Sequence, residues 1–265
     1  MSDIRITYVT ITYNAAKVLQ RTLDSVLEQD YPNIEHLIID GASTDDTLKL
    51  VDAYTARSNA AASEHQIQVV SEPDKGIYDA MNKGLRCLTG DYVCFLNAGD
   101  FLPAPDIASR IALAITNTNH PSPNTSQLPA VAYGDTDIVD GEGHFLHHRR
   151  LAPPEHLTWK SFRQGMLVCH QAFYARTDIA KNQQYDTRYR FSADVDWCIR
   201  VMKETERMGL ALCNTEMVVA NYTEEGATTQ NHQASLKERF DVMRRHYGLF
   251  STLVMHAWFV IRSHR

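Results

Sequence analysis

The residues best suited to chemistry stand where apolar runs stop. Tyr92-Val93-Cys94-Phe95-Leu96 is a continuous apolar run, preceded by Gly90 and cut off by Asn97-Ala98-Gly99-Asp100. Such a run suits a central strand covered on both faces. The carboxyl ends of strands are where open α/β sheets bind their ligands. A carboxylate there, Asp100, is predicted to hold a hard divalent cation and, through it, a nucleotide diphosphate. Two earlier β-rich runs stop in the same way: Ile4 to Tyr13 at Asn14, and Ile34 to Ile39 at Asp40-Gly41-Ala42-Ser43. Asp40 can accept from a base N–H or from ribose hydroxyls, or it can bond its own turn. Asn14 can line a pocket or cap the helix that follows. Asp74-Lys75-Gly76 offers a cation for a diphosphate and a glycine that lets backbone approach a ligand. Lys75 can equally pair with Asp79 at i, i+4.

The elements between these ends are legible as periodicity. Val18, Leu19, Thr22, Leu23, Val26 and Leu27 have helical spacing. A second helix is expected with Ser43 or Thr44 as cap, Asp45 and Asp46 in its first turn, and Leu48, Val51 and Tyr54 inward. Ile67 to Ser71 reads as a third strand, and Ile77, Ala80, Met81, Gly84, Leu85 and Leu88 as the inner face of a third helix. Strand and helix thus alternate through the first hundred residues, which predicts βαβ units and a parallel sheet. Beyond a helix around Ile107 to Ile115, the polar stretch Asn117 to Pro129 reads as an exposed loop. Short strands are expected at Val131 to Tyr133 and Ile138-Val139, with a turn at 140–143 folding Phe145 to Arg149 back as a hairpin. Gln171 to Tyr174 and Leu210 to Val219 are further strands, and Ser192 to Arg207 and Ser235 to Tyr247 are helices.

Composition excludes several classes. A formal net charge of -6 over 265 residues is not the basic footprint of a general nucleic-acid binder. Five scattered cysteines without a C-x-x-C pair read as free thiols in a reducing compartment, and Met1 to Arg5 lacks signal-peptide architecture, so a cytoplasmic location is expected. Thr10 to Asn14 contains no glycine, which disfavours a dinucleotide-binding dehydrogenase and a sugar-phosphate nucleotidyltransferase. The apolar segment Leu249 to Ile261 has thirteen residues between basic flanks. That is short of the ~20 that span a bilayer. With Trp258 and Phe259 it suits an interfacial helix on an anionic membrane, or a helix packed on its own domain.

Four segments carry a resemblance. Thr10-Ile11-Thr12-Tyr13-Asn14, Ile39 to Asp45, Glu72 to Gly84, and Phe95 to Asp100 come in that order, and His170-Gln171 and Ser192 to Trp197 extend the series. Together they resemble the family 2 glycosyltransferases of GT-A fold, especially those that assemble bacterial surface polysaccharides. The resemblance implies an α/β fold with a Rossmann-like, mostly parallel sheet. Residues 1–234 would form the transferase domain, with a nucleotide-binding half to about 100 and an acceptor-binding half after it, and 235–265 would be C-terminal helices. It implies inverting transfer from a nucleotide-sugar, a UDP-sugar foremost, to a saccharide or lipid-linked saccharide. The alternative is an inactive homologue that binds nucleotide within an assembly complex.

Carried over residue by residue, the resemblance assigns Thr10, Thr12, Asn14, Asp40, Lys75, Asn97 and Asp100 to the nucleotide and Asp100 to Mn²⁺ or Mg²⁺. It assigns Asp194 as the base that deprotonates the acceptor hydroxyl. His170, Gln171, Trp159 and Asp196 are expected near the acceptor, Asp196 alternatively as a support. The chain departs from the family pattern in three places. Met81 replaces a common arginine, Ala193 replaces the acid before the base, and the Asp-x-Asp metal motif is reduced to Asn97-Ala98-Gly99-Asp100. His170 or His232 could complete the metal shell, and the loop Thr223 to Thr229 could close over the diphosphate.

Overall fold

The computed structural model describes residues 4–61, 63–117, 127–224 and 232–263. The expected alternation opens the chain: β1 (Ile6–Thr12), α1 (Leu19–Leu27), β2 (Ile34–Asp40), α2 (Thr47–Ala60), β3 (Gln66–Ser71), α3 (Ile77–Cys87) and β4 (Tyr92–Phe95). β1 pairs in parallel with β2 and with β4, and β2 pairs in parallel with β3. The order 3-2-1-4 places a topological switch between β1 and β4, where a crevice opens beyond the strand ends. Every residue of β1 and β2 is buried, because helices cover both faces. Ile38 packs with Leu19, Leu23, Val51 and Tyr54 of α1 and α2, whereas its neighbours Leu37 and Ile39 join Met81 and Leu85 of α3 in the other cluster. That split is the period-2 alternation of a strand. Gly84 is required by contact: a Cβ there would stand 2.7 Å from Val9 Cγ1.

The sheet then changes direction. After α4 (Ile107–Thr116) come β5 (Val131–Val139), β6 (Phe145–His148), β7 (Phe173–Arg176), the short α5 (Thr177–Ala180), α6 (Ala193–Met208) and β8 (Leu212–Thr223). β7 lies antiparallel between β4 and β5, β6 folds back on β5 as the expected hairpin, and β8 pairs in parallel with β5. The chain closes with α7 (His232–Tyr247) and α8 (Leu249–Ser263). All five cysteines are free.

Several local expectations are corrected. α1 starts at Leu19, and the residue before it offers no side-chain cap. Asn14 therefore does not cap it. Asn14 has a φ of 48°, and its Oδ1 accepts from the Thr44 amide at 2.9 Å, tying the end of β1 to the entry of α2. α2 starts at Thr47, so Asp45 and Asp46 precede its first turn and neither Ser43 nor Thr44 caps it. Asp45 Oδ1 takes the Thr47 amide at 3.0 Å instead. Val131 to Val139 is one strand, and β8 runs to Thr223 rather than stopping at Val219. A bulge sustains that length, with Glu216 at a φ of 53° and the β5–β8 register shifting near Tyr133. On α3, Ala80, Met81, Gly84, Leu85 and Leu88 are buried as expected, but Ile77 is exposed and Tyr78 is buried beside them. Residues 118–126 of the polar stretch and 225–229 of the candidate closing loop lie outside the described residues.

Candidate active site

The ends of β1 and β2 form a tight polar knot. Asp40 is fully buried, and its carboxylate accepts from Thr12 Oγ1 at 3.0 Å, Ser71 Oγ at 2.7 Å and the Ser43 amide at 3.0 Å. Burial opposes its charge, but the bonds from Ser43, Ser71 and Thr12 outweigh it and hold the carboxyl below its ordinary range. Thr10 sits deeper than a pocket-lining residue would. Its hydroxyl donates to the Leu96 carbonyl at 2.8 Å and meets His36 Nε2 at 2.9 Å. The surface above this knot belongs to residues that strand periodicity did not single out. Tyr13 is 66% exposed at the end of β1. The Asp74 carboxylate approaches Gly41, where a Cβ would meet Asp74 Oδ2 and the Tyr13 ring. Lys75 is exposed on the same loop. Its expected pairing with Asp79 is not through the ammonium; Asp79 Oδ2 accepts the Lys75 amide at 3.0 Å.

Asp100 stands at the end of β4 in a turn braced from two sides. Thr22 Oγ1 on α1 donates to the Asp100 carbonyl at 2.7 Å, and Thr223 Oγ1 at the end of β8 donates to the Gly99 carbonyl at 2.7 Å. Its carboxylate is buried and accepts from Gln171 Nε2 at 2.7 Å and the Thr223 amide at 3.2 Å. Burial pushes this carboxyl up to about 6, against the lowering effect of Gln171, Thr223 and His170.

Asp194 opens α6 a short way off. Its Oδ2 lies 3.4 Å from His170 Nδ1, and its Oδ1 accepts from Tyr78 O–H at 3.0 Å. Burial works against ionisation here too, but His170 and Tyr78 prevail and keep the carboxyl below its ordinary value. His170 Nε2 meets Asn97 Nδ2 at 3.0 Å. Consecutive residues His170 and Gln171 thus reach Asp194 and Asp100, and they bring together the acids of β4 and α6.

The remaining acceptor candidates are engaged with partners of their own. Gln171 is 2% exposed and serves Asp100. Asp196 points away, with Oδ2 accepting from Arg200 Nε at 2.7 Å and Oδ1 facing His246 Nε2 at 2.8 Å, so it fastens α6 to α7. That is the support alternative. Trp159 stacks on Tyr247 with ring centroids 5.6 Å apart, and the Lys203 ammonium sits 4.4 Å from its ring. The side chain of His232 is outside the described residues.

The donor set at Asp100 suits a hard cation. Asn97 Oδ1 is buried without a hydrogen-bond partner, on the same turn as Asp100. Each Asp100 oxygen accepts one protein hydrogen bond, which leaves a further lone pair on each. Oxygen donors plus a diphosphate are what Mg²⁺ or Mn²⁺ takes. Among the described residues no three His, Cys, Asp or Glu side chains gather into a self-sufficient metal cage.

Known proteins share this chain's sequence pattern and fold. Residues 7–177 match the sequence profile described as Glycosyl transferase family 2. The "PGL/p-HBAD biosynthesis glycosyltransferase" of Mycobacterium bovis (strain BCG / Pasteur 1173P2) is 32% identical over 216 residues, covering 81% of this chain and 75% of that protein. The "Amylovoran biosynthesis glycosyltransferase AmsB" of Erwinia amylovora is 27% identical over 228 residues, covering 84% of this chain and 70% of that protein. Among solved structures, S. aureus TarS 1-349 superposes with a TM-score of 0.68 at 15% identity, over 97% of this chain and 72% of that one. The mannosyltransferase PcManGT from Pyrobaculum calidifontis, in complex with GDP-Man and Mn²⁺, superposes with a TM-score of 0.64 at 19% identity, over 96% and 70%. The architecture is that of the GT-A glycosyltransferases. With its strand-end acids in place and most of its length matched, the chain belongs to glycosyl transferase family 2.

Proposed function

We propose that this glycosyltransferase moves a sugar from a UDP-sugar to a saccharide acceptor, with inversion, in the assembly of a bacterial surface glycan. The observation that carries the reading is the pairing of Asp100 and Asp194 through His170-Gln171. One acid serves the leaving diphosphate and the other the incoming hydroxyl. The exposed Tyr13 ring and the half-buried Asp74 carboxylate beside Gly41, with the exposed Lys75 next to Asp74 in the chain, suit a base, a ribose and a phosphate. Asp40 and Thr12 act one layer below, by holding the turn that shapes this surface.

The acceptor oxygen attacks the anomeric carbon, its proton passes to the Asp194 carboxylate, and the bond to the diphosphate breaks with its electron pair on the departing oxygen. Asp194 is ready for this at neutral pH because His170 and Tyr78 hold it ionised. Asp100 and Asn97 would hold Mn²⁺ or Mg²⁺, which supplies charge neutralisation for the leaving group. The relatives named for PGL/p-HBAD and amylovoran biosynthesis support a role in the assembly of a larger glycan, and a saccharide, free or lipid-linked, is the acceptor this reading takes.

A thermal-shift screen of nucleotide-sugars with Mn²⁺, followed by turnover assays on the hits, tests the reading. A binder stabilises the fold by RT ln(1 + [L]/Kd). UDP-sugars should raise Tm and turn over. Absence of any nucleotide-sugar shift would sink the donor assignment, and tight UDP binding without turnover would favour the inactive homologue.

The acceptor reading extends to α8. Leu249, Phe250, Leu253, Val254, Trp258 and Ile261 are all half or more exposed, or nearly so, and fall on one side of the helix. Among the described residues no helix is long and apolar enough to cross a membrane. An apolar stripe followed by Arg262 and Arg265 suits an in-plane helix on an anionic leaflet, beside a lipid-linked acceptor. Leu253→Glu with Trp258→Glu should cut cosedimentation with phosphatidylglycerol vesicles at least about tenfold. Unchanged cosedimentation would dispose of the membrane helix.

A further inference from the structure

We infer that Tyr78 is a positioning residue for the acceptor-activating carboxylate Asp194. The inference rests on the reading of Asp194 as the base. Tyr78 belongs to the first turn of α3, two residues beyond Gly76, and its hydroxyl crosses to α6 to donate to Asp194 Oδ1 at 3.0 Å. Among the described residues, Tyr78 and His170 are the side chains that meet the carboxylate directly.

The hydroxyl is held by a rigid mount. The Tyr78 ring stacks on Tyr185 at 5.6 Å and 18°, and Tyr185 stacks on Trp197 at 5.0 Å and 14°. Tyr185 cannot slide, because Asn82 grips its backbone at both ends: Nδ2 donates to the Tyr185 carbonyl at 2.9 Å and Oδ1 accepts the Tyr185 amide at 2.7 Å. Trp197 lies one turn along α6 from Asp194. The stack therefore sets the height of the hydroxyl against the same helix that carries the acid. On its other side α3 is fastened to the loop before it. Lys83 Nζ donates to the Pro73 carbonyl at 2.7 Å and pairs with Glu72 at 3.0 Å, and Asp74 Oδ1 takes the Gly76 amide at 2.8 Å. The nucleotide-side loop and the base thus share one helix.

The chemistry agrees with the geometry. Burial, and then the Asp194 charge, keep the Tyr78 hydroxyl protonated and a donor. A hydrogen bond given to a carboxylate favours its ionised form and fixes which lone pair faces the substrate. The other titratable or charged groups that act on Asp194 are His170, Arg239, Tyr185, Tyr222, Cys169 and Cys198. All remain in a Tyr78→Phe variant, so its difference from the wild type reports the missing hydroxyl.

Tyr78→Phe is expected to lower kcat for transfer about tenfold and to leave the donor KM within about twofold. The split follows from the loss of a bond that orients the acceptor-side carboxylate and touches no donor contact. Tyr92→Phe is the control: this buried tyrosine at the start of β4 donates to the Pro129 carbonyl and takes no part in the stack, so kcat should stay at its wild-type value. A Tyr78→Phe enzyme with wild-type kcat overturns the inference. So does a fall in kcat matched by Tyr92→Phe, or one accompanied by an equal rise in donor KM, which would mean packing alone. Asp194→Asn separates the two readings. If it is inactive while Tyr78→Phe is normal, only the positioning role fails; if it is active, the base assignment fails first.

Discussion

Asp194→Asn should all but abolish sugar transfer while nucleotide binding persists. A positioned general base contributes ~10²- to 10⁴-fold, and the amide cannot accept the acceptor proton. Asn keeps the shape of the side chain, so the fall should appear in kcat and not in the Kd for UDP. Asp194 is set apart from every other acid on α6. It is nearly buried and held ionised by His170 and Tyr78, whereas Asp196, two residues on, is occupied by Arg200 and His246. A carboxyl depressed in this way stabilises the fold above its ordinary value, and that contribution fades as pH falls through its folded value. The comparison is turnover of the UDP-sugar against UDP binding by calorimetry in wild type and variant. A variant transferring at near wild-type rate rejects the base role.

Asp100→Ala should weaken metal-dependent UDP binding by about 100-fold or more, since the remaining oxygen donor, Asn97, is neutral. The pH dependence is a second signature. Burial lifts this carboxyl to about 6. A raised carboxyl favours the fold below its ordinary value and loses that contribution as pH rises through about 6, where the buried charge appears. A cation offsets that charge and needs the ionised form. The rise in Tm given by Mn²⁺ and UDP together should therefore be large at about pH 8 and fade at about pH 5. Thermal denaturation across that range decides it, and an equal shift at both ends, or full Mn²⁺-dependent binding by the Ala variant, removes Asp100 from the metal site.

The departures from expectation have a common origin. Apolar spacing counts Ile77 as core on α3, yet it alone of that face lies exposed. Tyr78 turned inward instead because Asp194, over a hundred residues away in the chain, accepts its hydroxyl and Tyr185 takes its ring. Gln171 is expected near the acceptor but is spent on Asp100, a partner from a distant segment. For Asp196 the fold selects the support alternative, with Arg200 and His246 as partners. Thr223, expected only as the first residue of a closing loop, braces the Gly99-Asp100 turn with its amide and hydroxyl.

The sequence by itself determined the alternation of strands and helices through Phe95, the acids at the ends of β2 and β4, and the family. These rest on local periodicity and on contiguous motifs, which survive without knowledge of what lies across the sheet. Only the tertiary structure decided which side chains are free to act. It buried Asp40 in its own turn, exposed Tyr13 above it, and joined Asp100 to Asp194 through His170-Gln171. The physical reason is hydrogen-bond satisfaction: a buried polar group must find a partner, and that partner is chosen by proximity in the fold and not by position in the chain.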